Sequence, residues 1–282
     1  MTPGLLFALG AMVCFGVGDL LYKRAAATGV GAAQFVMLQA WVFAPAINIY
    51  AFATGTLDVH WSAAWGSLAG VFSLVAFYNF ARSLKDGAVS TNAPIFRLNF
   101  TLTALLAIVL LGETLTLPKA GALAGALVAV WLLLGEPGAA RGGIKLASLT
   151  RVLVATVAMA LANLFYKVGL QHGALPETMV AAQAWAFSSL ATVLAVMHER
   201  RLRLTPAVWR YSAPAAVSLL VGFVLLLHGL ARGPASVLVP VAQMSFVFTA
   251  LFGAVMFREH LNNRKRLGLA IAALALALFA VS

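Results

Sequence analysis

Asp19 and Arg97 are the two residues of this sequence whose charge is least compatible with their surroundings. Asp19 stands near the end of the apolar run Leu5 to Leu21, and Arg97 lies between Ile95-Phe96 and a second apolar run that ends at Leu111. An ionised side chain at bilayer depth costs roughly 2.5–3.5 kcal/mol on insertion scales, so such a group faces a partner or a cavity. A carboxylate there can exchange protons or meet a solute amine, and the planar fork of a guanidinium suits a carboxylate or phosphate. The other acids (Asp58, Asp86, Glu113, Glu136, Glu177, Glu199 and Glu259) fall in connections or at the ends of apolar runs. Asp19 is therefore the candidate for proton coupling. A packing role competes with this reading, because Lys23 one turn on, or Arg97 itself, would neutralise Asp19.

The polar residues recur. Leu21-Tyr22-Lys23 returns as Phe165-Tyr166-Lys167 and Gln39-Ala40-Trp41 as Gln183-Ala184-Trp185, both 144 positions on. Further along the displacement is 146, pairing Gly87 with Gly233, Pro94 with Pro240, Phe100 with Phe246, Thr103-Ala104-Leu105 with Thr249-Ala250-Leu251, and Glu113 with Glu259. This is an internal duplication. The copies disagree where the first is charged: Asn163 answers Asp19 and Gln243 answers Arg97. Hydrogen bonding is kept and titration is lost, as expected of a duplicated site that became asymmetric.

Arg97, Asn163, Gln39, Gln183 and Gln243 are thus candidates to face a solute in a cavity shared by both copies. Asn99 joins them, and Tyr78, whose counterpart is the apolar Val224, would make the cavity asymmetric. Trp41 and Trp185 fit packing between helices better than a cavity wall. Asn92, Pro94, Arg97 and Asn99 on one side, with Pro240, Gln243 and Ser245 on the other, mark segments where proline frees a backbone carbonyl. A helix interrupted in this way can offer backbone groups to an ion or anion if it lines a cavity, a simple kink being the alternative. Glu113 and Glu259 read as anchors of the following hairpin, bound to helix-terminal N–H groups.

The elements that must carry these residues are apolar helices. The chain of 282 residues is 62% hydrophobic and 10% charged, with a mean hydropathy of +0.96, whereas soluble domains are about half apolar and a quarter charged. Apolar runs recur near 4–22, 31–54, 62–84, 88–111, 117–135, 148–170, 177–198, 210–231, 235–257 and 264–281, each close to the length that crosses about 30 Å of hydrocarbon. The first is read as a retained helix, since the basic pair Lys23-Arg24 follows it rather than preceding it. Residues 136–147, rich in glycine, form the expected linker between halves at 1–135 and 148–282. An odd number of spans per half makes the second copy enter from the opposite side. The expected fold is therefore all-α integral membrane, with ten transmembrane helices as two inverted five-helix repeats, an architecture recurrent in transporters.

The pattern Gly112-Glu113-Thr114-Leu115 with Gly121 and Gly125, and its looser echo Arg258-Glu259-His260-Leu261 with Gly268, resembles the EamA-type branch of the drug/metabolite transporter superfamily. So does the short Gly-led loop before a Pro-containing fourth helix in each unit. The resemblance covers nearly the whole chain. It implies a carrier for amino acids, nucleotide sugars, sugar phosphates, polyamines or cationic drugs, often an exporter coupled to protons or to a counter-solute. It also implies termini on the cytoplasmic side.

Charge says otherwise about orientation. Lys119, Lys167 and Arg232 lie on the side of the termini and Arg97 within a span, which leaves the other fifteen of the 19 basic residues on the opposite side. By the positive-inside rule that side is cytoplasmic and both termini lie outside. The net charge of +11 is therefore a topology signal rather than a nucleic-acid surface. Cys14 is the one cysteine, so neither an intrachain disulfide nor a thiolate metal site is expected. No helical His-Glu-x-x-His, Gly-x-Ser-x-Gly or phosphate-cradling loop is present, so neither an enzyme nor a cofactor is expected.

The leading expectation is a secondary active exporter of small polar or zwitterionic metabolites such as amino acids. Its partners would be the solute, protons or a counter-solute, and the lipid of a bacterial inner membrane, with the protein a monomer or homodimer. The alternatives are uptake or exchange of anionic, phosphorylated solutes, favoured if Arg97 is unpaired and flanked by Lys23 or Lys167, and lipid-linked group translocation or membrane assembly. Dense small residues, including Gly121-x-x-x-Gly125 and Ala270 to Ala277, fit tight packing or dimer contact equally.

Overall fold

The computed structural model describes residues 2–28, 30, 32–58, 60–86, 92, 95–134, 146–198, 205–248 and 263–281. The described residues form ten α-helices and no strand: α1 (Pro3–Ala27), α2 (Ala32–Ala53), α3 (Ala64–Asp86), α4 (Asn99–Leu111), α5 (Leu117–Leu134), α6 (Leu146–Gln171), α7 (Pro176–His198), α8 (Pro206–Arg232), α9 (Ala235–Gln243) and α10 (Asn263–Ala280). Six of them, α1, α2, α3, α6, α7 and α8, are long and apolar enough to cross a membrane, and Ile95–Leu111, Leu117–Leu133 and Ala235–Phe248 are shorter apolar helices. The protein is an all-α integral membrane protein. The linker expected at 136–147 falls largely outside the described residues.

Helix ends differ from the expected ones for local reasons. α1 continues past 22 to Ala27 because Lys23, Arg24 and three alanines are all good helix formers. α8 begins at Pro206, since proline in a first turn forfeits no hydrogen bond. α4 closes on Gly112, whose φ of 68° lies in the left-handed region that glycine enters without a Cβ penalty. That turn directs the next residue, Glu113, toward the other half.

The two copies interlock. α1 of the first half packs along α8 of the second, and α3 of the first along α6 of the second, which is one contact seen twice, once from each end of a pseudo-twofold axis. α2 lies against α7, α4 against α9, and α5 against α10. Close approach follows from small residues. A Cβ on Gly66 or Gly70 of α3 would come within 2.5 Å of the carbonyl oxygen of Met179 or Gln183 on α7. At the outer pair, Gly125 packs on Ala275, 3.3 Å from where its Cβ would be, so this expected small-residue stripe is used within the chain.

The α2–α7 seam carries a matched pair of bonds. Trp41 Nε1 donates to Thr192 Oγ1 at 2.9 Å, and Trp185 Nε1 donates to Asn48 Oδ1 at 3.3 Å; each donor and each acceptor is the other's repeat counterpart. Both indoles are 58% exposed. They brace two helices rather than line a cavity. Polar contacts between membrane helices average about 0.6 kcal/mol, so Thr192→Val is expected to lower unfolding stability by about that amount, measured by chemical denaturation in detergent micelles. A loss several times larger would show that the seam is tied to the core.

Candidate functional site

The fourth helix of each copy is broken at the same place. Leu98 interrupts the turn Ile95–Arg97 before α4, with its N–H donating to Ile95 O at 3.1 Å, and Met244 interrupts α9 before Ser245, with its N–H donating to Pro240 O at 3.0 Å. These two residues are counterparts 146 positions apart. Each break follows the residue that differs in charge between the copies, Arg97 in one and Gln243 in the other. Pro240 lies inside α9, one turn before the second break, and its missing N–H removes the helical donor for Ser236 O; Pro94 lies outside the described residues.

The breaks bring the polar residues of α4, α9 and α1 together. Arg97 Nη2 donates to Asp19 Oδ2 at 2.9 Å. Its Nη1 donates to Gln243 Oε1 and to Ser245 Oγ, both at 3.4 Å, while Ser245 Oγ donates to Asp19 Oδ2 at 3.1 Å. The arrangement is a closed ring: guanidinium, carboxylate and hydroxyl, each bonded to the other two. The Arg97 side chain is 18% exposed and that of Asp19 36%, so the carboxylate is the more accessible half of the pair. An ion pair with this geometry offsets the desolvation of its members, and a proton on Asp19 or a competing charge beside either member would open it. The side chain of Lys23, the other expected neutraliser, lies outside the described residues.

Asn163 does not join this ring. Its Nδ2 donates to Thr103 Oγ1 at 3.4 Å, and Thr103 in turn donates to Asn99 O at 2.8 Å. Asn99 Nδ2 donates to Phe96 O at 2.6 Å, reaching back across the break at Leu98. Asn163 and Asn99 thus hold α6 against the broken helix, and both are almost fully buried. Asn92 is likewise bonded in place, donating to Ser83 O and Ser148 Oγ, each at 2.9 Å.

Gln39 and Gln183 line one cavity, of about 40 Å³. Four phenylalanines, Phe43, Phe77, Phe187 and Phe223, form much of its wall, with Tyr22 and Leu219. Tyr22 lies one turn beyond Asp19 on α1, which puts the cavity a helical turn from the ion-pair ring, none of whose residues lines it. The lining includes Phe77 and not its neighbour Tyr78. Tyr78 instead accepts a hydrogen bond from Arg82 Nη1 at 3.3 Å and has that guanidinium 5.4 Å over its ring. The phenylalanines carry no polar signature in the sequence, and apolar residues abound in every span, so only their convergence reveals them.

Around the turn between α8 and α9 two charges hold the backbone. Glu113 accepts from the N–H groups of Ala235 at 2.7 Å and Ser236 at 2.9 Å, capping α9. Lys167 Nζ donates to the carbonyls of Leu230 and Gly233, both at 2.7 Å. Acid at a helix N-terminus and base at a helix C-terminus each meet the favourable end of the dipole. Glu259, the expected counterpart of Glu113, lies outside the described residues. Nearby, Glu177 Oε1 and His228 Nε2 are 2.7 Å apart, and the His228 ring stacks on Phe7 at 5.6 Å between centroids.

One of the 29 solved chains that match significantly, described only as the crystal structure of a protein, superposes on 99% of this chain and 96% of its own with a TM-score of 0.83. At 16% sequence identity that likeness shows the fold alone. No curated protein matches the chain significantly. The model of the EamA-like transporter family matches twice, over residues 2–135 and 147–281. Its two matches cover the two copies seen in the repeat and in the paired helix breaks. The chain therefore belongs to the EamA-like transporter family, membrane transporters of the drug/metabolite superfamily.

Proposed function

We propose that this transporter is a proton-coupled secondary active exporter of small zwitterionic or polar metabolites, amino acids among them, working by alternating access. The observation that carries the reading is the ring of Asp19, Arg97, Ser245 and Gln243, which joins α1 and the two broken helices at the interface of the inverted copies. In inverted-repeat transporters the solute site lies where the halves meet, and one half rocks against the other. Here a proton on Asp19 would release Arg97 to a solute carboxylate, and its departure would let the ion pair reform. An acid and a base side by side, a helical turn from a cavity, match the two charges of a zwitterion.

The experiment is flux in proteoliposomes under an imposed pH gradient. Accumulation or loss of labelled amino acids that follows the gradient and collapses with a protonophore is expected. Flux of the same size with and without the gradient would remove the proton from the cycle. The phosphorylated-solute alternative is weaker, because Arg97 is paired and Lys167 is bonded to Leu230 and Gly233.

The termini are proposed to lie outside the cytoplasm of a bacterial inner membrane, on the imbalance of basic residues between the two sides. A C-terminal fluorescent reporter that matures only in the cytoplasm is expected to stay dark, and a periplasm-active phosphatase at the same position to be active. The reverse pattern overturns this orientation.

A further inference from the structure

The cavity is not symmetric, although Gln39 and Gln183 are counterparts. In the first copy the Tyr22 hydroxyl donates to Gln39 Oε1, so that oxygen is taken. In the second copy Tyr166, the counterpart of Tyr22, pairs its hydroxyl with Ser73 Oγ at 3.5 Å. Gln183 Oε1 is buried and has no hydrogen-bond partner among the described residues, and the residue is 5% exposed. A single difference explains this. The counterpart of Ser73 is Leu219, which packs beside α1 with no hydroxyl to offer, so Tyr22 turns to its glutamine while Tyr166 does not. Gly70 holds Gln183 in place, because the α3 backbone meets the Gln183 carbonyl where any Cβ would clash.

An amide oxygen buried without a donor costs about 1–3 kcal/mol, and a site built around such a group rejects ligands that leave it unpaired. The cavity that Gln183 lines has an aromatic wall. Phe43, Phe77, Phe187 and Phe223 offer ring faces and edges to an apolar body or to a cation. We propose that Gln183 is the specificity-determining acceptor of an aromatic compartment, which takes an amphipathic solute: an aromatic or branched apolar group that carries an N–H or O–H donor. This rests on the transport reading and adds the class of solute to it. The proposed zwitterion would place its apolar side chain in the compartment beside the ion-pair ring, with its ammonium donating to Gln183 Oε1.

Equilibrium binding to the purified full-length protein in lipid nanodiscs tests this with two probes that differ only in the donor, L-phenylalanine and 3-phenylpropionate. The wild type is expected to prefer L-phenylalanine at least about tenfold, about 1.4 kcal/mol, and to bind L-serine and L-aspartate more weakly. Gln183→Met, which keeps volume and removes the acceptor, brings the two aromatic probes to equal affinity. Ser73→Ala does the same from behind the wall, by freeing the Tyr166 hydroxyl to bond Gln183 as Tyr22 bonds Gln39; it serves if the methionine variant does not fold. Retention of the tenfold preference in both variants overturns the assignment, as does wild-type binding of L-serine and L-aspartate equal to that of L-phenylalanine. In the latter case proton-driven flux of the polar solutes would leave the transport reading standing while the aromatic compartment falls.

Discussion

Asp19→Asn is expected to reduce proton-driven flux in proteoliposomes to the leak of protein-free vesicles, while exchange of labelled for unlabelled solute persists. The asparagine keeps an oxygen to accept from Arg97 Nη2 and Ser245 Oγ, so the ring that now spans 2.9 and 3.1 Å retains its shape. It cannot take up or release a proton, and among the acids of the described helices Asp19 is the one that meets a base at the paired breaks. Arg97 loses its counter-charge, and removal of one partner of a buried pair costs about 3–5 kcal/mol when nothing else compensates. The loss here should be smaller, because Asp19 is over a third exposed and Arg97 keeps Gln243 and Ser245. Melting of the variant is measured beside its flux so that a folding defect is seen as such. Proton-driven flux with an unchanged pH dependence would remove Asp19 from the coupling step.

Glu113→Ala is expected to be the most destabilising single change at the α8–α9 turn, by about 3 kcal/mol, since two charge-assisted bonds to backbone N–H groups are lost and hydrogen bonds to charged groups contribute about 1.5–3 kcal/mol each. The N–H groups of Ala235 and Ser236 would be left at the start of a largely buried helix, where water is scarce. Glu113→Gln keeps one acceptor and should lose about half as much. Thermal unfolding followed by size-exclusion chromatography distinguishes the two variants. Equal stability of Glu113→Ala and the wild type would show that the turn is held by Lys167 alone. The contact also explains why an acid follows Gly112: the glycine turn ends a helix of one copy and aims its carboxylate at the first turn of a helix in the other.

Much of the architecture was legible in the chain. Span count follows from hydropathy because an isolated membrane helix must satisfy its own backbone, so length and apolarity alone define each crossing. The duplication was legible because polar residues are rare enough in such spans for Gln-Ala-Trp at two positions to stand out. The anchoring role expected of Glu113 agrees with its bonds to Ala235 and Ser236. Helix bounds were less legible: α8 extends four residues earlier than expected, since nothing in a hydropathy profile shows that Pro206 can open a helix.

The ion pair was legible as two misfits and ambiguous as a pair. Hydropathy showed that Asp19 and Arg97 each needed a partner, and Arg97 and Lys23 were equal choices for Asp19. Ser245 entered only as a polar residue near Pro240, although the repeat displacement aligns it with Asn99 and places it at the second break. Tyr78 is a different case. Its polarity suggested a cavity, but Arg82 one turn on holds it while its apolar neighbour Phe77 faces inward.

The sequence alone determined that Asp19 and Arg97 stand in apolar segments, that the chain carries two copies of one unit, and that the copies differ at those two charges. Periodicity, hydropathy and repetition are local properties, and they survive without knowledge of the fold. Which groups meet was decided only in three dimensions. The ring of Asp19, Arg97, Gln243 and Ser245 depends on two helix breaks facing each other across the copies, and the unpartnered, buried oxygen of Gln183 depends on whether the helix behind a tyrosine presents Ser73 or Leu219. Such contacts span sequence distances from 78 residues between Asp19 and Arg97 to 226 between Asp19 and Ser245, and their partners are chosen by packing geometry, which no local pattern records.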